Sequence, residues 1–63
     1  MNTADIIKKR REELGLSQEE LAAKLGYKSR SSINKIELGL SDIPFSKIPL
    51  FAKALELEPE ILM

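Results

Sequence analysis

The amino-acid sequence predicts an all-α fold, a compact bundle of five short helices, from three observations. The 63 residues are 43% hydrophobic and 32% charged, a globular balance in a chain with room for one small domain. Neither cysteine nor histidine occurs. Disulfide staples and zinc fingers are therefore excluded, and the domain must stand on an apolar core, which helices build most readily at this size. Apolar residues recur at helical spacing, and three of the segments they form are followed by Gly15, Gly26 and Gly39, placed where a left-handed residue closes a helix.

The first helix is expected over 4–14, capped by Asn2 or Thr3, with Asp5 in its first turn where the helix dipole favours a negative charge. Ile7 and Leu14 lie seven apart on its inner face, and Lys8, Lys9 and Arg10 fall mostly outside it as a solvated run. A second helix over 18–25 opens with Ser17 and Glu20 in a capping box, and Leu16 is placed to pack on Leu21 as a hydrophobic staple. Ser29 is the expected cap of a third helix that points Ile33 and Ile36 inward and ends at Leu38, before Gly39. Its outward positions are Arg30, Ser31, Asn34 and Lys35, all hydrogen-bonding and none acidic. Residues 40–44 read as a loop. A short turn over 43–46 precedes a fourth helix from about 47, capped by Ser46, with Ile48, Phe51, Ala52 and Leu55 inward. Pro49 falls in its first turn, where a missing N–H is harmless. Glu56 stands where glycine would end the helix more easily, and Glu58-Pro59 begins a fifth helix. The expected core is Ile7, Leu14, Leu21, Ala22, Leu25, Ile33, Ile36, Ile48, Phe51, Ala52 and Leu55.

Ten basic and ten acidic side chains cancel, which argues against an indiscriminate polyanion binder. Their distribution is uneven: residues 27–40 carry three positive charges and one negative, and residues 41–63 carry two positive and four negative. A positive face on a neutral domain follows if the fold gathers the former. No apolar run approaches the length of a membrane span and no signal-peptide pattern opens the chain. The sequence reads as a soluble cytoplasmic domain with no cofactor, no metal and no membrane contact. No imidazole, thiolate, phosphate loop or metal cluster is present for catalysis, and Glu12-Glu13 and Glu19-Glu20 diverge as helix neighbours, so they make poor acid–base pairs.

Two short helices, a glycine turn and a polar-faced third helix make a helix-turn-helix pattern over about 17–38. Ala22 is small where the third helix must cross, Gly26 turns the chain, and Ile33 and Ile36 lock the third helix against the second. The run from Leu16-Ser17-Gln18-Glu19-Glu20-Leu21-Ala22 through Leu25-Gly26, Ser31-Ser32-Ile33-Asn34-Lys35-Ile36-Glu37-Leu38-Gly39 and Ala52-Lys53-Ala54-Leu55 resembles the Cro/CI-type helix-turn-helix family of lambdoid phage repressors and small bacterial regulators. The resemblance covers nearly the whole chain. Three departures stand out: Tyr27-Lys28 makes the turn one residue longer than usual, Pro49 replaces an aliphatic residue, and Glu56 replaces glycine.

That resemblance implies a five-helix, lambda-repressor-like DNA-binding domain whose third helix enters the major groove. Arg30, Ser31, Asn34 and Lys35 match base-contact positions; arginine and lysine donate to guanine O6 and N7, and asparagine pairs with adenine N6 and N7. Gln18 matches a phosphate-binding residue, and Lys28 and the backbone of Leu40, Ser41 and Asp42 are further phosphate candidates. Arg11 and Glu37 match a pair that ties the first helix to the end of the third. If the longer turn shifts the third helix, Ser31 and Asn34 read bases while Arg30 retreats to the DNA backbone. Tyr27 is expected to pack over the turn.

The partner implied is a double-stranded, pseudo-palindromic operator bound by a homodimer. Its dimer contacts are expected from a region missing here, residues 1–63 forming the N-terminal part of a longer regulator, most like a repressor. Two other readings remain: a DNA-binding antitoxin of the same fold, and a helical protein-interaction module that binds no DNA. The polar outer face of 30–35 disfavours the module, because a docking helix usually offers an apolar stripe.

Overall fold

Local capping chemistry starts the chain as the sequence predicts. The structure, a computed structural model, describes residues 2–63. Asn2 caps α1, Thr3–Glu13, by accepting the Asp5 N–H. Ser17 and Glu20 form a complete capping box at the head of α2, Gln18–Lys24, each side chain accepting the other's backbone N–H at 2.9 Å. α3 spans Ser31–Glu37 and α4 spans Ile48–Leu55. Single 3-10 turns, Phe45–Lys47 and Pro59–Leu62, precede and follow α4. The described residues contain no strand.

All four helices stop in the same way. The residue after the last turn takes a left-handed backbone, and its N–H and the next one bond back onto the helix, as Gly26 does to Ala23 and Tyr27 to Ala22. At α4 the left-handed residue is Glu56, with φ 56° and ψ 46°. A side chain is strained there.

The core is one cluster drawn from every helix: Ile7, Leu21, Ala22, Leu25, Ile33, Ile36, Ile48, Phe51, Ala52, Leu55 and Leu62. Ten of these were expected. Leu14 is not among them; as the C-cap of α1 it is half-buried at the cluster's edge. Leu62 was not expected, and the terminal turn folds it under α4.

Three boundary expectations are corrected. Ser29 does not cap α3. Arg30 is already in a right-handed helical conformation, and the Ser29 hydroxyl instead accepts the Ser31 N–H two residues on, a local turn that competes with capping. Ser46 does not cap α4, because it lies inside the 3-10 turn closed by Lys47 N–H on Pro44 O at 2.8 Å, without the extended backbone a cap needs. The fifth helix is a 3-10 turn, its Ile61 N–H reaching back three residues to Glu58 O. Among the described residues the bundle is thus four α-helices and two 3-10 turns.

Candidate nucleic-acid interface

The α2–turn–α3 unit carries the expected interface, and a buried ion pair sets its angle to α1. Arg11 and Glu37 are 8% and 9% exposed. Arg11 Nε donates to Glu37 Oε2 at 2.7 Å and Nη2 to Oε1 at 3.1 Å, while Nη1 donates to Leu16 O at 2.8 Å. Glu37 holds the guanidinium protonated more firmly than usual, chiefly through this hydrogen bond and against the cost of burial. The bidentate fork is the geometry in which arginine holds a carboxylate best. It joins the last turn of α1 to the last residue of α3.

Charge on α3 is sorted by this contact. Glu37 is the only acidic residue of α3 and it faces inward, neutralised. Arg30, Ser31 and Lys35 face solvent, as does Lys28 in the turn before them. None of Lys28, Arg30 and Lys35 has an acidic partner among the described residues. The exposed face is therefore uniformly positive, although the chain as a whole is neutral.

Asn34 and Gln18 are placed differently from the other candidates. Both are half-buried. Gln18 Nε2 donates to Glu37 Oε1 at 3.0 Å and to Asn34 Oδ1 at 3.3 Å, so its side chain braces the two helices together. In the loop after α3, Leu40, Ser41 and Asp42 are exposed. The Leu40 N–H is already used, donating to Lys35 O at 2.9 Å. Of these three, Ser41 and Asp42 have N–H groups that make no bond among the described residues.

Two tethers lie outside any local sequence pattern. Lys47 reaches over the turn: its Nζ donates to Leu25 O at 3.2 Å and sits 4.7 Å from the centre of the Tyr27 ring, a cation–π contact. Tyr27 in turn meets Phe51 edge-on at 6.4 Å between ring centres. Arg10, expected to lie in a solvated run, donates from Nε to Leu55 O at 2.9 Å and caps the end of α4. These contacts join residues 20 or more positions apart.

A helix-turn-helix family model matches residues 7–62. The chain belongs to the Cro/CI-type helix-turn-helix family. Among solved structures, this helix-turn-helix domain is similar to the restriction-modification controller protein C.AhdI of Aeromonas hydrophila, with 33% identity, a TM-score of 0.85 and coverage of 97% of this chain and 91% of the controller. The controller C.Esp1396I, solved as a tetramer with its natural 35-base-pair operator, is 32% identical over 95% of this chain and 78% of its own, with a TM-score of 0.78. The P22 c2 repressor, solved with a synthetic operator, shares the fold at a TM-score of 0.91 and 24% identity over 100% of this chain and 94% of its own. A comparison with curated proteins finds no match. Among the described residues, no helix is long and apolar enough to cross a membrane and no cluster of three or more His, Cys, Asp or Glu is placed to hold a metal.

Proposed function

We propose that residues 1–63 form a sequence-specific double-stranded DNA-binding domain of a transcriptional regulator, most like a repressor, which binds rather than transforms its ligand. The observation that carries this reading is the sorting of charge on α3: its one carboxylate is buried against Arg11, and the basic side chains before and along it are exposed and unpaired. A short helix presenting donors and positive charge suits the major groove, where guanine offers two acceptors. In this reading Arg30, Ser31, Asn34 and Lys35 meet base edges. Lys28, the main-chain N–H groups of Ser41 and Asp42, and that of Gln18 hold phosphates. The operator complex of C.Esp1396I, a tetramer, supports DNA as the partner and more than one copy as the binding form.

One domain covers one half-site, so two copies on a pseudo-palindrome, half-sites about 34–36 Å apart or a multiple of that, give specific binding. The test is selection of bound sequences from random duplex DNA. Enrichment of such a pseudo-palindrome supports the proposal, and equal retention of all duplexes refutes it.

A further inference from the structure

The segment that leads into α3 is weakly held by its own backbone. Tyr27 N–H bonds Ala22 O and closes α2, and Asn34 N–H on Arg30 O opens the bonding of α3. Between them, the N–H groups of Lys28, Ser29 and Arg30 make no bond among the described residues, and Ser31 N–H reaches only the Ser29 hydroxyl. A stretch so poor in backbone bonds is mobile unless its ends are pinned. One end is α3 itself. The other is the half-buried Tyr27 ring, which meets Phe51 edge-on and lies 4.7 Å from the Lys47 ammonium. Lys47 stands in the 3-10 turn before α4 and is also half-buried. It donates one of its three N–H groups to Leu25 O at 3.2 Å, at the C-terminal end of α2, where a cation is favoured. One side chain thus holds both the end of α2 and the ring that opens the turn, and Lys28 is the next residue.

We infer that Lys47 is a positioning residue for DNA binding, acting through Tyr27 on the phosphate contact of Lys28. This rests on the DNA-binding proposal above. With the ring clamped, Lys28 leaves the turn from a fixed backbone, and little ordering remains for DNA to impose. With the clamp open, binding must itself order residues 28–30, and the contact weakens by that entropy. The competing account is a direct phosphate bond from an N–H of Lys47 that Leu25 does not use. The Tyr27 ring separates the two, because only the clamp needs it.

The experiment measures affinity for a duplex enriched by the selection above, at several salt concentrations, with each variant shown to be folded by a thermal melt. Lys47→Met keeps the stem and removes the cation; Lys47→Arg keeps a cation for the ring and a donor for Leu25 O. Lys47→Met should weaken binding severalfold, and Lys47→Arg should stay close to wild type. On a Lys28→Ala background Lys47→Met should cost less than about twofold and leave the salt slope where Lys28→Ala put it. Tyr27→Leu leaves Lys47 its charge and opens the clamp from the other side. It should weaken binding as Lys47→Met does, with little added loss when the two are combined. A direct phosphate bond would instead lower the slope by about 0.9 for Lys47→Met on the Lys28→Ala background. A brace that serves stability alone would lower the melting temperature and leave the affinity of the folded chain unchanged. Either result, an undiminished loss on the Lys28→Ala background, or a Lys47→Arg chain as weak as Lys47→Met overturns the inference while DNA binding stands. A wild-type chain that enriches no duplex removes the proposed function itself.

Discussion

Arg11 and Glu37, 26 positions apart, meet in a two-bond fork at 2.7 and 3.1 Å, under cover of the bundle. The contact settles two matters together. It fixes α3 against α1, and it withdraws the one negative charge from the helix that faces outward. A buried pair of this kind adds little over an apolar pair of equal volume, but removing one partner strands the other charge.

Arg11→Ala should therefore lower stability by about 3 kcal/mol. Lys9→Ala, on the exposed side of α1, should cost less than about 0.5 kcal/mol. Arg10→Ala should fall between them, since Arg10 holds Leu55 O at 2.9 Å. Urea unfolding of the three variants checks this order. Equal losses for Arg11→Ala and Lys9→Ala would show that the fork does not hold the bundle.

The capping box of α2 makes a pH prediction. The Ser17 N–H, and after it the Ser17 hydroxyl, bond the Glu20 carboxylate and lower its pKa below the ordinary 4.5. The unfolded chain then takes up the proton first as pH falls. The stabilisation is fully present above the unfolded value and is lost as pH drops through the lower, folded one. Glu20→Gln keeps an acceptor and cannot titrate. Wild type should exceed it in melting temperature at neutral pH and lose that advantage as the pH falls below the ordinary carboxylate range. A pH-independent gap between the two would contradict the account.

Glu56 carries backbone strain that glycine would relieve, since it closes α4 at φ 56°. Glu56→Gly should gain about 1 kcal/mol, equivalent to about 4–8 °C in a domain of this size. Glu56→Ala should gain nothing, because alanine meets the same left-handed penalty. Thermal denaturation of both variants decides it; a glycine variant no more stable than the alanine one refutes the strain.

Reading and holding should separate between Arg30 and Lys28, both exposed and unpaired. Arg30→Ala should flatten the preference at one position per half-site, at a cost of about 1–3 kcal/mol. Lys28→Ala should weaken binding to every sequence and reduce its salt dependence. Sequence selection at two salt concentrations tests both. An unchanged preference in Arg30→Ala would assign it to the DNA backbone, and a changed one in Lys28→Ala would reverse the division.

The sequence by itself determined what depends on neighbours within a turn or two. The caps at Asn2 and Ser17, the stops at Gly15, Gly26 and Gly39, and the inward faces of the four helices follow from hydrogen-bond chemistry and spacing, and they brought ten core residues together as expected. The family motif, read in the same residues, placed Arg11 near Glu37. Only the tertiary structure decided which polar groups were still free to act. Gln18 was legible as a residue facing DNA, yet both of its side-chain protons belong to partners 16 and 19 positions away. Arg10 looked solvated until the end of α4 came within 2.9 Å, and only the closed bundle puts the Tyr27 ring beneath Lys47. Leu62 entered the core because the terminal turn folds back on α4. Periodicity reports which side of a helix is apolar. The partner of a long polar side chain depends on which carbonyl or carboxylate another helix brings within 3 Å, and that distance exists only once the bundle has closed.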